Sequence, residues 1–364
     1  MMVMKGTALK KRPSKVFATY AVVVVAYIIM QTLSSMGMLS RAMEGFLIPI
    51  CVYIVLAVSL NLVVGISGEL SLGHAGFMGV GAFTGVVISG CLAGSVGSDW
   101  VRLLLAMIAG GLVAGIAGVV VGIPVLRLRG DYLAIVTLAF GEILKNIAGN
   151  LYIGKDSRGV HLAFDPVNMN LASDGKMLVK GPMGSTGVDK ISTFFMGFLL
   201  IMLTLFVVLN IIHSKEGRAI KAIRDNRIAA ESVGINVTAF KLKAFTVSAI
   251  LAGMAGALFG LNYSSVTASQ FGYTNSINIL VFVVLGGMGN ILGSVISATV
   301  LYLLPEMLRG LEDFRMILYA VVLIVVMLCT WSPTVKNSID AGMTAAKRKL
   351  ANIFGKKQEV TGND

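Results

Sequence analysis

The feature that most constrains the fold of this chain is a series of long apolar runs. Several reach the roughly 20 residues that an α-helix needs to cross a bilayer. Hydrophobic residues make up 56% of the 364 residues and charged residues only 13%, whereas a soluble domain carries about 25% charge. The sequence therefore predicts an all-α integral membrane protein, a polytopic bundle of about ten helices. The predicted spans are 16–38, 43–64, 75–95, 101–124, 131–150, 193–212, 243–263, 269–287, 290–308 and 314–332.

Basic residues predict the orientation of these spans, because Lys and Arg are enriched in cytoplasmic loops. A basic N-terminal segment, 1–15, and a basic tail, 333–364, are both expected in the cytoplasm, on either side of a transmembrane domain, 16–332. An even number of spans is then required, so 270–305 must cross twice with a turn near 286–290. The net charge of +12 follows from this topology, and we expect no nucleic-acid binding.

Two loops stand out between the predicted spans. The 151–192 loop falls outside the cell in this topology and is rich in Gly, Asp, Asn and Ser. We expect an irregular loop there, with a short interfacial helix. Within it, 180–187 is either a plain surface loop or a contact for a soluble binding protein. The 214–243 loop falls on the cytoplasmic side.

Catalytic and metal-binding patterns are missing from the sequence. The three cysteines, Cys51, Cys91 and Cys329, stand singly in apolar runs, so neither a metal site nor a disulfide is indicated. No GxxxxGK[ST] phosphate loop occurs, so the chain alone is not expected to hydrolyse ATP. GxSxG and HExxH are absent as well. We predict a protein without catalytic residues, metal ligands or a cofactor of its own.

The 214–243 loop is a charged island between two apolar spans. Ser214 is placed to cap a single helix that ends near Gly234. One interpretation is an amphipathic helix lying in the membrane interface. The other is a docking surface for a soluble partner, favoured by the spacing of Ala229, Ala230 and Gly234, since small residues allow close approach and a glycine can end the helix.

A glycine-rich stretch, 61–85, makes an unbroken helix across 65–74 unlikely. Broken helices in membranes often build transport sites, so this break is either a short cytoplasmic turn or an inner gate. His74 beside it is either a structural hydrogen-bonding residue or a proton relay. Gly76 and Gly79 fit close packing between helices.

Ionisable side chains mark the stretch 128–150. Glu142 and Lys145 are three residues apart on a helix, which predicts a mutual salt bridge. The alternative is that Thr137 and Glu142 face a translocation pathway, where a carboxylate would attract an ammonium group. The glycines at 286–289 predict a tight turn between two spans or a gate-lining element.

Together these motifs resemble one family. The 214–243 loop contains GRA at 217–219, AIR at 222–224, AAE at 229–231 and GIN at 234–236. This is similar to the coupling loop of branched-chain amino acid permeases in ABC importers. The general importer pattern, Glu-Ala-Ala-x-x-x-Gly, has its glutamate before the two alanines, whereas here Glu231 follows Ala229 and Ala230. The stretch 65–83 resembles the family signature GxSGxxSLGHAxFxGxGAY, with phenylalanine as the last residue.

The resemblance implies a permease in a bacterial inner membrane, of the larger, M-type branch because an extra span precedes the shared region. It implies uptake of leucine, isoleucine and valine, with urea or short-chain amides as the alternative within the same class. A secondary amino-acid transporter, which would need no docking loop, is an alternative from another class. The implied partners are membrane lipid, a second related permease forming a heterodimer, two ATP-binding subunits that hold ATP and Mg²⁺, and an external solute-binding protein. The implied coupling residues are Arg218, Arg224, Ala229, Ala230, Glu231 and Gly234. The candidate pathway or gate residues are Gly65, Gly68, Ser71, His74, Thr137, Glu142, Gly286 and Gly287.

Overall fold

A computed structural model describes residues 13–94, 96–128, 130–156, 158–165, 175–308 and 314–331. Most of the predicted N-terminal segment 1–15, and the whole predicted tail 333–364, lie outside these described residues. The described residues up to Leu303 form one compact unit, and those from Leu304 onward belong to a second.

The described residues form a helical protein with two small sheets. Each predicted span coincides with a helix, but among the described residues eight helices are long and apolar enough to cross a membrane, against ten predicted. The last two helices of the described chain have 17 residues each. The helices are α1 Pro13–Ser35, α2 Arg41–Asn61, α3 His74–Leu92, α4 Asp99–Val125, α5 Asp131–Asn150, α6 Phe194–His213, α7 Lys215–Asp225, α8 Arg227–Ser232, α9 Val237–Gly260, α10 Tyr273–Gly286, α11 Ile291–Met307 and α12 Arg315–Trp331.

The centre of the first unit is built by α2, α3, α4 and α9. In an 18-residue apolar stretch of the span that contains α2, 83% of the residues are buried, against 11% in such a stretch of α1, so α1 lies at the periphery. Helix α9 packs against both α3 and α4. A Cβ atom on Gly81 would overlap the backbone of Gly253, and one on Gly253 would lie 2.5 Å from the carbonyl oxygen of Gly110. Small residues thus bring the three helices into backbone contact, as in small-residue packing of membrane helices.

The described part of the 151–192 loop contains regular strands, so the prediction of an irregular loop was wrong there. Its chain forms a three-stranded antiparallel sheet in the order β2-β1-β3, and a two-residue strand pairs with a strand after α9. The strands are β1 Tyr152–Asp156, β2 Gly159–Ala163, β3 Lys176–Lys180, β4 Ser185–Thr186 and β5 Ser265–Val266.

Two polar contacts attach this loop to the helices. The buried guanidinium of Arg102 in α4 donates to Asp189 at 2.9 Å. Lys155 Nζ in β1 donates to the carbonyl oxygen of Cys91 at 2.7 Å, near the end of α3. The loop is therefore attached to the start of α4 and to the end of α3.

Candidate functional site

The 214–243 loop folds into two helices, α7 and α8, rather than the single predicted helix. Ser214 Oγ accepts the N–H of Gly217 at 3.1 Å, which caps α7 as the sequence predicted. Asn226 breaks the helix, and its side-chain oxygen caps α8 by accepting the N–H of Ala229 at 3.0 Å. A third cap, Asn236, begins α9. Because each helix start has its own side-chain acceptor, the loop is locally well defined.

A small apolar core lies inside this loop. Ile223, Ala230 and Val237 bury one another, and Ala230 is only 3% exposed. Gly234 has a φ of +83°, and the N–H of Ile235 returns to the carbonyl oxygen of Ala230 at 3.1 Å. The structure thus assigns Ala230 to internal packing, where a larger side chain would force α7, α8 and α9 apart.

The opposite side of α8 is exposed and partly apolar. Ile228 and Val233 are 78% and 75% exposed, and Ala229 and Arg218 are exposed as well. Glu231 is paired within the helix to Arg227 Nε at 2.8 Å. The sequence analysis missed Ile228 and Val233. The sequence did contain a sign of this surface, since these two large apolar residues stand among charged ones and do not belong to the buried apolar face that contains Ile223.

Helix α2 ends in the predicted break at the glycine-rich stretch. The π-helical turn Leu62–Ser67 follows α2, and Gly68, with a φ of +75°, ends it. Arg224 of α7 reaches this break, where its Nη1 donates to the carbonyl oxygen of Gly65 at 3.0 Å. Glu69, which directly follows Gly68, forms an ion pair with Lys241 of α9, and both side chains are largely buried. The break is therefore fastened on two sides, to the end of α7 by Arg224 and to the start of α9 by Lys241.

A second clamp joins the break to the turn between α10 and α11. Asn61 is completely buried, and its side-chain oxygen accepts the N–H of Gly289 at 2.7 Å. Its nitrogen donates to Ser294 Oγ at 2.7 Å and to the carbonyl oxygen of Asn290 at 3.3 Å. A Cβ on Gly65 would overlap both Asn61 and Gly289. The two glycine turns thus lie in direct contact.

The turn itself falls at the predicted place. Gly286 ends α10, and Gly287 follows with a φ of +89°. A Cβ on Gly286 would lie 2.6 Å from the backbone of Gly293, so the ends of α10 and α11 cross at van der Waals contact. Gly286 and Gly287 therefore belong to the same cluster as Gly65 and Gly68.

His74 and Thr137 fasten the non-helical residues 68–73. The Nε2 atom of His74 lies 2.9 Å from Ser59 Oγ, and the ring is buried. Thr137 Oγ1 accepts the N–H of Leu72 at 3.0 Å and donates to the carbonyl oxygen of Ala134 at 2.8 Å. Ser71 Oγ is buried without a hydrogen-bond partner among the described residues. The geometry of His74 matches its structural, hydrogen-bonding interpretation.

Glu142 lies away from this cluster. It pairs with Lys145 at 2.5 Å, as the spacing predicted, and also accepts the N–H of Tyr273 at 2.7 Å. Tyr273 is the first residue of α10 and Gly286 the last, a rise of about 20 Å at 1.5 Å per residue. Glu142 and the glycine turns therefore lie at opposite ends of α10. The candidate pathway residues thus form two layers, which the predicted topology makes an inner layer at the glycine turns and an outer layer at Glu142.

Comparison with known proteins identifies the family. The family described as "Branched-chain amino acid transport system / permease component" matches residues 42–330. The chain belongs to this family. The matched region begins within α2, so α1 precedes it, and it contains both glycine turns and the 214–243 loop.

Individual relatives agree with this assignment. The permease is 35% identical to the high-affinity branched-chain amino acid transport system permease protein LivM of Salmonella typhimurium over 312 residues, 81% of this chain and 70% of the relative. It is 34% identical to LivM of Escherichia coli K12 over 339 residues, 89% of this chain and 75% of the relative. With BraD of Pseudomonas aeruginosa it shares 25% identity over 266 residues, 68% and 79% of the two chains. No solved structure matches significantly.

Proposed function

We propose that this permease is the membrane subunit of an ATP-driven importer of the branched-chain amino acids leucine, isoleucine and valine. The proposal is supported by family membership and by the names of the relatives, two of which are LivM proteins. In this proposal the chain forms a path for substrate across a bacterial inner membrane, surrounded by lipid, with both termini in the cytoplasm.

The proposed assembly contains several further proteins. A second, related permease forms a heterodimer with this chain, and a solute-binding protein delivers the substrate from outside. Two ATP-binding subunits hold ATP and Mg²⁺ and dock on the cytoplasmic loops, so this chain itself carries no cofactor and catalyses no reaction.

The observation that carries this proposal is the outer surface of the 214–243 loop. Two large apolar side chains are exposed there, Ile228 in α8 and Val233 directly after it. Exposed apolar groups on a polar segment mark interaction sites. We infer that this surface docks an ATP-binding subunit. Its proposed members are Arg218, Ala229, Glu231 and Gly234, together with Ile228 and Val233, while Ala230 supports it from inside.

The proposed mechanism is alternating access, in which ATP binding and hydrolysis move the docking loop and open or close the path. The inner layer around the two glycine turns then acts as a gate, and the outer layer at Glu142 lies nearer the side from which substrate enters. The residues proposed to line or support this path are Gly65, Gly68, Ser71, His74, Thr137, Glu142, Gly286 and Gly287.

Uptake by the reconstituted complex tests this function. We would measure ATP-dependent entry of labelled leucine and labelled urea into vesicles, with the wild type and with Ile228→Arg. We expect leucine uptake, and we expect the charged side chain to displace the ATP-binding subunit, because hot-spot residues at interfaces commonly cost 2 kcal/mol or more when changed. Uptake and co-purification of the ATP-binding subunit should fall together, by about 30-fold.

Met38→Arg is the matched control, since Met38 is also a large, exposed apolar residue, 69% exposed, in the loop between α1 and α2. That variant should transport leucine normally. Uptake of urea instead of leucine would change the proposed substrate but not the proposed assembly. Leucine uptake that needs no ATP and is indifferent to Ile228→Arg would show a secondary transporter and contradict the proposal.

A further inference from the structure

Arg224 connects two parts of the permease that lie far apart in sequence. It belongs to α7, yet its Nη1 atom donates to the carbonyl oxygen of Gly65 at 3.0 Å. Its aliphatic stem lies on Gly68, where a Cβ would come within 2.7 Å of Arg224 Cγ. The side chain therefore rests directly on the break after α2, and only a residue without a side chain fits beneath it.

The carbonyl groups at this break need a donor from elsewhere. The last carbonyl groups of a helix have no partner within it, and the C-terminal end carries a partial negative charge. The N–H groups of Gly68 and Glu69 both donate to the carbonyl oxygen of Val63. Arg224 supplies a charged donor to the neighbouring carbonyl of Gly65, an arrangement favourable in both hydrogen bonding and charge.

The guanidinium group is also held from the other side. Its Nε and Nη2 atoms donate to one carboxylate oxygen of Asp225 at 3.1 and 3.0 Å. Arginine presents several donors in a rigid plane. With one edge fixed by Asp225 and another atom on Gly65, the side chain links α7 to the break in a defined orientation.

The link continues beyond Gly65. A Cβ there would overlap the backbone nitrogen of Gly289, and Asn61, one turn earlier, accepts that N–H at 2.7 Å. A displacement of residue 65 therefore displaces the turn at 286–290. A continuous series of contacts runs from α7 through the end of α2 to the start of α11.

We propose that Arg224 is the positioning residue that transmits movement of the 214–243 loop to the two glycine turns. The proposal rests on the proposed function, because the movement originates in a docked ATP-binding subunit. It assigns Arg224 a different role from its neighbours on the loop. Those neighbours bind the ATP-binding subunit, whereas Arg224 transmits the displacement of α7 to the break after α2. Its loss should separate ATP hydrolysis from transport rather than weaken docking.

The test uses the reconstituted complex with Arg224→Met, which keeps an apolar stem over Gly68 and removes the guanidinium group. Three quantities are measured: co-purification of the ATP-binding subunit, ATP hydrolysis and leucine uptake. We expect the first two to stay within about twofold of the wild type and uptake to fall about tenfold, the effect of losing one hydrogen bond to a charged group. Arg224→Lys, which retains a charged donor, should recover part of the uptake.

A second readout follows the turn itself. Met288 is exposed and lines an open cavity of 430 Å³ together with Gly65, Gly68 and Arg224. In a Met288→Cys variant, the rate of labelling by a water-soluble maleimide should differ between the nucleotide-free and ATP-trapped complexes. The parent without this cysteine gives the background. Adding Arg224→Met should abolish the difference.

Lys215→Met is the matched control, an exposed basic residue on the same helix, and it should behave as the wild type. The proposal is overturned if Arg224→Met lowers uptake and co-purification in equal proportion, since Arg224 would then be a docking residue. Unchanged uptake, or state-dependent labelling that survives Arg224→Met, overturns it as well. If the wild type neither binds an ATP-binding subunit nor needs ATP, the proposed function itself fails, and this inference fails with it.

Discussion

At the scale of single residues, Asn61 explains how a polar group survives at the centre of an apolar bundle. Its side chain is fully buried and makes three hydrogen bonds, to Gly289, Ser294 and Asn290. A buried amide costs free energy unless it is paired. Here its pairing also satisfies the N–H of Gly289, in the turn between α10 and α11.

Replacing Asn61 with leucine should destabilise the permease strongly. The change keeps a similar volume but leaves the N–H of Gly289 without its acceptor, and such an unsatisfied group costs about 1–3 kcal/mol. The hydroxyl of Ser294 loses its bond to Asn61 but keeps the one to the carbonyl oxygen of Asn290. We expect a lower midpoint in thermal unfolding of the detergent-solubilised protein. Asn210→Leu is the control, because Asn210 is exposed on α6 and should tolerate leucine in an apolar setting. Equal midpoints for the two variants would contradict the assigned role of Asn61.

The roles of Asn61 and Arg224 could not be predicted from the sequence. Asn61 was visible only as the start of a glycine-rich stretch, and its partners lie 228 or more positions further along the chain. Arg224 was assigned to a partner protein, since a basic residue on a charged loop gives no indication that it turns inward. By contrast, the Glu142–Lys145 pair is local, and the spacing of three residues was enough.

At the scale of elements, the start of α10 depends on a side chain from α5. Glu142 accepts the N–H of Tyr273 and is held by Lys145. The first N–H groups of a helix lack internal partners, and a carboxylate there is favoured by the helix dipole. Glu142 thus acts as an N-terminal cap supplied by a different helix.

Glu142→Ala should loosen the first turn of α10. We expect faster hydrogen–deuterium exchange in the peptide 268–280, and little change in peptides from α3 and α9. Glu44→Ala removes a carboxylate from the first turn of α2 and should leave exchange in 268–280 at the wild-type rate. If Glu142→Ala also leaves it unchanged, the cap contributes nothing to α10.

The elements differed in how far they could be predicted. Long apolar runs located the transmembrane helices, because length and composition alone specify a span. The strands of the 151–192 loop were missed, since they have at most five residues and mix Gly, Lys and Asp with apolar positions. The division of α7 from α8 was missed too, because Asn226 was not recognised as a helix start.

At the scale of the whole first unit, the contact of α3, α4 and α9 determines how closely the bundle packs. Gly253 sits where all three meet, against Gly81, Gly110 and Ala114. A side chain at this position would separate backbones that now touch. Membrane helices associate mainly through such packing, so the effect should reach the entire bundle.

Gly253→Val should therefore lower the yield of folded permease, because overpacking a tight core typically costs about 1–3 kcal/mol. The measurement is the monodisperse fraction after extraction in mild detergent. Gly45→Val is the control, since a Cβ on Gly45 in α2 meets nothing within 4 Å. A normal yield of Gly253→Val would show that the three helices can separate at little cost.

The glycine contacts of α3, α4 and α9 also decide which parts of the permease can move. Side chains can change rotamer to let two helices slide, but backbones in contact have no such freedom. These three helices therefore behave as a stationary frame. The turn between α10 and α11 instead meets the end of α2, through the hydrogen bonds of Asn61 and the contact of Gly65 with Gly289, and a glycine turn can rotate about a few dihedral angles. In the proposed transport cycle, we expect α3, α4 and α9 to stay fixed relative to one another while the turn between α10 and α11 moves.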